Sequence, residues 1–224
     1  MPSNYYQDIL YPLQDRVLQL LSDPDLPFYL TGGTALNRFY CHHRYSDDLD
    51  LFTCQEIEDF RKIAHHVIQR IEQNGYRVTT ETVSNHFCRM FVRENDGALK
   101  IDLINDQVYH HGDTVSFPLY PRVDNVVNIL SNKITALSRH EAKDIVDIWT
   151  IARTTEFSWR DIMEIALKKS PVDPPDAAQT LTTMPLAELS TIKWTSSIDT
   201  AKVFKDIRFI ARDILLGTPN SLFP

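Results

Sequence analysis

Three aspartates occur in short stretches where acidic and apolar residues alternate. Asp48 and Asp50 alternate with leucines, and Asp102 lies between Ile101 and Leu103. Alternate residues of a strand share a face, so Asp48 and Asp50 point together while the leucines point into the core. Carboxylates placed side by side repel, and a divalent cation is a common reason for such placement. If the two strands are neighbours, the three carboxylates predict a metal site for phosphoryl or nucleotidyl transfer. A solvated strand face is the alternative.

A second pattern is Gly32-Gly33-Thr34, which lies between a short apolar run and a predicted helix. Glycines let backbone N–H groups approach a phosphate closely, and a helix N-terminus favours the negative charge of that phosphate. The Thr34 hydroxyl adds a further polar group. The pattern predicts contacts to the phosphates of a nucleotide, and a simple tight turn is the alternative.

A third group of charged residues lies in the second half of the chain. Its members are Lys133, Arg139, Lys143, Asp144 and Asp147. Asp144 and Asp147 are three residues apart, so they share one face of a predicted helix. The three cations could converge on a triphosphate, whereas ordinary ion pairs on a solvated helix face would give the same pattern.

The predicted helices and strands that position these residues are distributed differently in the two halves of the chain. Apolar periodicity predicts helices at 5–22, 34–41, 56–74, 124–138, 141–152, 159–168, 176–182 and 199–216, and strands at 28–30, 48–53, 76–83, 87–93 and 98–104. Asp124 is the predicted N-cap of the first helix in the second half. The first half mixes helices with strands and the second half is nearly all helical, which predicts an α+β fold. We expect a catalytic core at residues 1–122 and a helical domain at 123–224.

Net charge, apolar runs and cysteine spacing argue against several classes of protein. The net charge of -7 argues against a general positive surface that coats nucleic acid, although a local basic patch is compatible with it. The sequence contains no apolar run near the ~20 residues that a membrane-spanning helix needs, and its N-terminus shows no secretory pattern. Three scattered cysteines without CxxC spacing are interpreted as reduced thiols. We therefore expect a cytoplasmic protein that does not bind membranes.

The order of these stretches resembles the AbiEii/MenT-like nucleotidyltransferase family. The similar stretches are Gly-Gly-Thr-Ala-Leu at 32–36, Arg-Tyr-Ser-Asp-Asp-Leu-Asp-Leu-Phe at 44–52, Lys-Ile-Asp at 100–102 and the run at 133–147. Members of this family are toxins of type IV toxin–antitoxin and abortive-infection systems, within the DNA polymerase β-type superfamily. The resemblance implies a polymerase β-like core with a mixed sheet and a C-terminal helical domain, with the active site between them. It also implies NTP as the donor and Mg²⁺ (or Mn²⁺) as the metal.

The resemblance also implies roles for individual residues. Asp48, Asp50 and Asp102 would bind the metal and act in catalysis, together with Lys133. Contacts to the nucleotide would come from Gly32, Gly33, Thr34, Arg44, Ser46, Arg139, Lys143, Asp144 and Asp147. For Arg44 a structural ion pair with Asp47 or Asp48 remains an alternative to a phosphate contact.

The function implied is metal-dependent transfer of a nucleoside monophosphate to an acceptor hydroxyl. The acceptor could be the 3′ end of tRNA or another RNA, and an antitoxin protein would be the partner. Two alternatives stay open. One is a nucleotide-binding or protein-interaction module without turnover. The other is a transferase acting on small molecules such as aminoglycosides, since a negative net charge would suit a cationic acceptor.

Overall fold

We describe the fold from a computed structural model, which covers residues 5–56 and 58–224. Ile57, which the sequence assigns to the apolar face of a helix, and the first four residues lie outside these ranges. The described residues form two compact units. Unit 1 contains the residues up to Ala35, Ser46–Val108 and Asp113–Asp124, and unit 2 contains Leu36–Tyr45, Tyr109–Gly112 and Asn125–Pro224. The predicted domains at 1–122 and 123–224 stay a prediction, because compactness alone does not show that a segment folds or acts alone.

Unit 1 is built on a mixed β-sheet. Its elements are a π-helical turn at Tyr6–Leu10, α1 (Tyr11–Leu20), β1 (Tyr29–Thr31), α2 (Gly32–Ala35), β2 (Leu49–Thr53), α3 (Phe60–Gln73), β3 (Arg77–Val83), β4 (Phe87–Glu94) and β5 (Gly97–Asn105). The strand order is β1-β2-β5-β4-β3. Strands β2 and β5 run parallel, and the other neighbours run antiparallel. The predicted α+β class with a mixed sheet is therefore confirmed.

The alternation of residue types along β2 decides which side of the sheet faces the core. Leu49 and Leu51 are fully buried, whereas Asp50 between them is partly exposed. Helix α3 covers the apolar side of this unit with the buried residues Phe60, Ala64, Val67 and Ile71. Their spacing of three or four residues puts all of them on one stripe of the helix. The acidic face of β2 is thus the face that the core does not use.

Unit 2 is helical. Its elements are a π-helical turn at Leu36–Tyr40, α4 (Val126–Thr135), a 3₁₀ turn at Ala136–Arg139, α5 (Ala142–Thr154), α6 (Trp159–Lys169), α7 (Pro174–Thr183), a 3₁₀ turn at Leu186–Thr191 and α8 (Thr200–Leu216). The predicted helices of the second half are therefore present, with ends displaced by a few residues. None of the helices within 5–56 and 58–224 is long and apolar enough to cross a membrane.

The predicted N-cap of α4 is wrong by one residue. The side chain of Asn125, not of Asp124, accepts a hydrogen bond from the backbone N–H of Asn128, at 2.8 Å. Asp124 is fully buried in unit 1, where its carboxylate accepts a hydrogen bond of 2.6 Å from the Thr31 hydroxyl. Both residue types are good caps, so local sequence preference could not choose between them.

Candidate active site

The two strands that carry the predicted metal ligands are neighbours in unit 1. Asp50 on β2 lies directly opposite Asp102 on β5. Leu49 lies opposite Ile101, so Asp48, which directly precedes Leu49, is close to the level of Lys100. Because the strands are parallel and in register, the aspartates of β2 and β5 share one face of the sheet. The strand pairing on which the metal-site prediction depends is therefore present.

Two cationic side chains lie among these carboxylates. Lys100 Nζ is 2.6 Å from Asp48 Oδ2 and 3.8 Å from Asp102 Oδ2. Arg89 stands opposite Asp102 on β4 and donates two hydrogen bonds to its carboxylate, at 2.7 and 2.8 Å. Burial acts to lower the pKa of Lys100, but the hydrogen bond to Asp48 and the charges of Asp48, Asp102 and Asp50 hold that pKa above its ordinary value. The acidic face is thus neutralised in part by the chain itself.

The glycine turn lies beside the same carboxylates. Thr31 is opposite Asp50 across β1 and β2, and Gly32 follows at the end of β1. Gly32 has a φ of +71°, which side chains with a Cβ rarely adopt. A Cβ at this position would lie 2.5 Å from Asp50 Oδ2. Glycine is therefore required at residue 32 for two separate reasons, and its backbone lies against a predicted metal ligand.

Thr34 and Ser46 hold the loop that leads to Asp48. Thr34 is buried, and its hydroxyl hydrogen-bonds to the backbone carbonyl of Asp48 and lies 2.9 Å from the Ser46 hydroxyl. The backbone N–H of Ser46 donates to the Tyr11 hydroxyl, at 3.2 Å. The hydroxyls of Thr34 and Ser46 are thus used within unit 1, and their predicted contacts to a nucleotide stay a prediction.

The N-terminal segment reinforces the same loop. Gln14 on α1 is fully buried, and its side-chain amide donates to the backbone carbonyls of Ser46 and Asp47, at 3.2 and 3.3 Å. The Tyr6 hydroxyl donates to the Asp47 carboxylate, at 2.7 Å. These hydrogen bonds fix the backbone immediately before Asp48, so the position of that carboxylate depends on the first helix.

The distal charged residues of unit 2 form a buried cluster. Asp144 and Asp147 are both 0 % exposed, which excludes the alternative of a solvated helix face for these two residues, and their contacts to a nucleotide stay a prediction. Lys133 Nζ lies 2.6 Å from Asp144 and 2.9 Å from Asp147. Arg44 donates two hydrogen bonds of 2.7 Å to Asp147, and His43 Nε2 lies 3.0 Å from the same carboxylate. Arg44 therefore pairs with Asp147, a residue far from it in sequence.

Charge pairing keeps Asp147 and Lys133 ionised in this buried cluster. Burial acts to raise the pKa of Asp147, but the charges of Lys133 and Arg44 and a hydrogen bond from His43 hold that pKa well below its ordinary range. Burial likewise acts to lower the pKa of Lys133, and the charges of Asp147 and Asp144 hold it above its ordinary value. Breaking one of these pairs would leave an uncompensated charge in the interior.

Two of the distal residues are exposed. The Arg139 side chain is 62 % exposed and donates to the buried Asp144 carboxylate, at 3.0 Å. The Lys143 side chain is 51 % exposed, with Nζ 3.5 Å from Glu141. Asp144 therefore connects an exposed guanidinium to the buried cluster. Arg139 and Lys143 are the distal residues whose charges are open to an external anion.

One observation supports binding of a divalent ion to the acidic face and another opposes it. Three carboxylates on one face are suitable donors for such an ion, and Lys100 shows that a cation can sit between two of them. Within the described ranges, however, no three His, Cys, Asp or Glu side chains are arranged to hold one metal ion. The donor types fit a divalent ion, but the carboxylates of Asp48 and Asp102 are paired with Lys100 and Arg89.

Several of these residues were not selected from the sequence. Lys100 is two residues from Asp102 on the same strand, and this spacing could have predicted that both side chains share a face. Gln14 lies within the apolar stripe of α1, next to Leu13 and Val17. Its place in that stripe could have predicted a buried polar side chain. Arg89 gave no such signal, because its opposition to Asp102 requires the strand order.

Comparisons with solved structures give the fold. A candidate nucleotidyltransferase from H. pylori aligns with a TM-score of 0.69 and 17% identity, over 96% of each chain. JHP933 from Helicobacter pylori aligns with a TM-score of 0.65 and 18% identity, over 96% of this chain and 93% of the other. MenT4, a nucleotidyltransferase toxin from Mycobacterium tuberculosis H37Rv, aligns with a TM-score of 0.64 and 15% identity, over 96% and 86%.

The family follows from the sequence itself. No curated protein gives a significant match. Residues 16–217 match the family described as "Nucleotidyl transferase AbiEii toxin, Type IV TA system". This match spans both units and confirms the resemblance seen in the motifs. The chain therefore belongs to the AbiEii family of type IV toxin–antitoxin systems and is a nucleotidyltransferase.

Proposed function

We propose that the protein transfers a nucleoside monophosphate from an NTP to an acceptor hydroxyl, with pyrophosphate as the leaving group. The observation that carries this proposal is the opposition of Asp50 and Asp102 across parallel strands, beside the Gly32 turn. With Asp48, these carboxylates would bind a divalent ion, Mg²⁺ or Mn²⁺. The ion would supply positive charge that neutralises the triphosphate and the departing pyrophosphate.

The residues of unit 1 have distinct roles in this proposal. Backbone N–H groups of Gly32 and Gly33 bind the β- and γ-phosphates, because a turn without side chains permits close approach. The oxygen of the acceptor hydroxyl bonds to the α-phosphorus as the α–β bridging P–O bond breaks. Asp102 accepts the hydroxyl proton, and Arg89 keeps its carboxylate oriented through two hydrogen bonds.

From unit 2 the proposal takes Arg139 and Lys143 as nucleotide-binding residues, because both side chains are exposed. Lys133 and Asp147 are buried, so we assign them to holding Asp144 and, through it, Arg139. In this scheme the buried residues position an exposed cation and do not touch the substrate.

The family suggests candidates for the acceptor and the partner. We propose an RNA acceptor, with the 3′ end of tRNA as the first candidate, and an antitoxin protein as the partner. The proposed reaction consumes NTP, and the three cysteines are free thiols, so we place the protein in the cytoplasm. An antitoxin-like reading frame next to the gene would support the partner.

Transfer is tested by incubating the protein with α-labelled NTPs, Mg²⁺ and total RNA, and in parallel with aminoglycosides. We expect label in RNA, loss of that label in Asp48→Ala, and normal labelling in Asp161→Asn. Asp161 is an exposed carboxylate on α6 and serves as the matched control. Equal labelling of RNA, protein and aminoglycosides by the wild type and Asp48→Ala would contradict the proposal.

A second candidate is nucleotide binding without turnover. The pairing of Asp48 and Asp102 with Lys100 and Arg89 favours it, because these contacts compete with a metal for the carboxylates. Calorimetry with each NTP and Mg²⁺, followed by an assay for pyrophosphate with RNA present, separates the two candidates. Tight binding with no pyrophosphate release would favour the second.

A further inference from the structure

Lys100 occupies a central place on the acidic face of unit 1. It stands two residues before Asp102 on β5, so the two side chains share one side of the strand. Its ammonium lies 2.6 Å from an Asp48 oxygen and 3.8 Å from an Asp102 oxygen. One positive charge thus bridges two carboxylates, one directly before β2 and one on β5. This is the arrangement in which a bound ion would be expected.

Arg89 contacts the same face in a different way. Its guanidinium donates two hydrogen bonds to the Asp102 carboxylate, at 2.7 and 2.8 Å, and its Nε lies 3.8 Å from a Glu81 oxygen. Such a fork is rigid and fixes orientation, whereas the lysine ammonium is a compact charge on a flexible stem. The Lys100 side chain is 28 % exposed, so it has a route to solvent. Lys100 can therefore leave the carboxylates while Arg89 keeps Asp102 oriented.

We propose that Lys100 is an internal counterion that competes with a divalent cation for Asp48 and Asp102. The inference rests on the proposed function, because it assumes that these carboxylates are the metal ligands. An ammonium and a divalent ion within about 4 Å of each other repel strongly at the effective dielectric of a protein surface. Binding of the ion therefore requires the ammonium to move away.

The competition has two effects on the protein. While Lys100 is in place, the carboxylates of Asp48 and Asp102 do not face each other as bare negative charges, so the fold does not depend on metal. The same contact weakens the apparent affinity for a divalent cation, because each binding event must break an ion pair. Lys100 thus sets the concentration of free metal at which the acidic face is occupied.

The test measures binding of Mn²⁺ alone, without nucleotide, by electron paramagnetic resonance at one fixed pH. Removing the competing charge in Lys100→Met is expected to tighten Mn²⁺ binding by about tenfold, the scale of a partly exposed ion pair plus relief of repulsion. Lys100→Arg keeps the charge and is expected to bind Mn²⁺ no more tightly than the wild type. Lys62→Met is the matched control, because Lys62 pairs with Asp59 on an exposed part of the same unit.

Asp50→Asn separates this inference from the function on which it rests. If Mn²⁺ binding is lost in Asp50→Asn but is unchanged or weaker in Lys100→Met, the metal site stands and the counterion role is overturned. If neither the wild type nor Lys100→Met shows Mn²⁺ binding that Asp50→Asn removes, both are overturned.

A second measurement uses the wild type and so does not depend on folding of a variant. Lysine side chains are labelled with an amine-reactive reagent, and the rate at each lysine is read by mass spectrometry with and without Mn²⁺. We expect labelling of Lys100 to rise as Mn²⁺ saturates, while Lys62 stays constant. Constant labelling of Lys100 under saturating Mn²⁺ would overturn the proposal.

Discussion

The carboxylate of Asp50 lies against the backbone of Gly32, so close that a Cβ there would be 2.5 Å from Asp50 Oδ2. The pairing of β1 with β2 produces this contact, because Thr31 and Asp50 are opposite each other. The turn proposed to bind phosphates and the carboxylate proposed to bind metal thus belong to two strands that are paired with each other. A substitution at Gly32 should therefore displace the Asp50 carboxylate.

Gly32→Ala tests this connection. The positive φ and the collision with Asp50 are together expected to lower the free energy of unfolding by about 1–2 kcal/mol. The displaced carboxylate should also reduce nucleotide transfer by on the order of a hundredfold. Chemical denaturation and the rate of pyrophosphate release measure the two effects.

Gly75→Ala is the control for backbone strain. Gly75 has a φ of +90° but nothing lies within 4 Å of a Cβ placed there. The Gly75→Ala variant should be less stable than the wild type and keep full activity. Equal activity loss in both variants would mean that contact with Asp50 does not matter.

Arg89→Lys keeps the positive charge beside Asp102 but removes the two-pronged hydrogen bonding. Because orientation is lost and charge is kept, we expect kcat to fall by about tenfold while KM for NTP changes little. Steady-state kinetics measure both constants. Arg93→Lys, an exposed position on the same strand, should match the wild type. A rise in KM with normal kcat would assign Arg89 to substrate binding.

Gln14→Met tests how far the loop before Asp48 depends on α1. The variant keeps the size of the side chain but removes the amide donor from one buried and one partly buried carbonyl group, which should cost about 1–3 kcal/mol of stability. Urea unfolding measures this loss, and Mn²⁺ binding should weaken at the same time. The exposed Gln19→Met on the same helix should change neither. Normal Mn²⁺ binding in a destabilised Gln14→Met would show that the loop position is set elsewhere.

Asp147→Asn leaves Arg44 and Lys133 buried without their shared carboxylate. A loss on the order of 3–5 kcal/mol is expected at neutral pH. Because the pKa of Asp147 is depressed in the folded state, the carboxylate stabilises the protein fully above its ordinary value of 3.8 and less as the pH falls below it. The difference between variant and wild type should therefore stay constant above about pH 5 and narrow toward lower pH.

Denaturation curves at several pH values check this prediction, with Asp161→Asn as an exposed control that should show little loss at any pH. A difference that grows on acidification would be inconsistent with a depressed pKa at Asp147.

Local patterns in the sequence predicted the elements well. The alternation around Asp50 identified β2 and its acidic face, and the apolar stripe of α3 identified its buried side, because both patterns depend on near neighbours. The N-cap of α4 was displaced from Asp124 to Asn125, since two adjacent residues had similar capping ability. The fold class was therefore predictable from residue spacing alone.

Partners that are distant in sequence were not predictable. Arg44 pairs with Asp147, 103 residues away, although two aspartates follow it closely in the chain. Arg89 meets Asp102 only because β4 lies next to β5. The Thr34 hydroxyl bonds to the backbone carbonyl of Asp48, a partner that its position beside two glycines did not indicate. Each of these choices is made by tertiary packing, which a pattern of residue types does not specify.

The chain enters unit 2 early, with Leu36–Tyr45, and returns to unit 1 at Ser46. This short excursion contributes His43 and Arg44 to the environment of Asp147. A single cut in the polypeptide near residue 122 would therefore give a C-terminal fragment with a buried carboxylate deprived of two of its partners. We therefore expect the segment after residue 122 to be less stable alone than in the whole chain, because losing partners of a buried charge is destabilising.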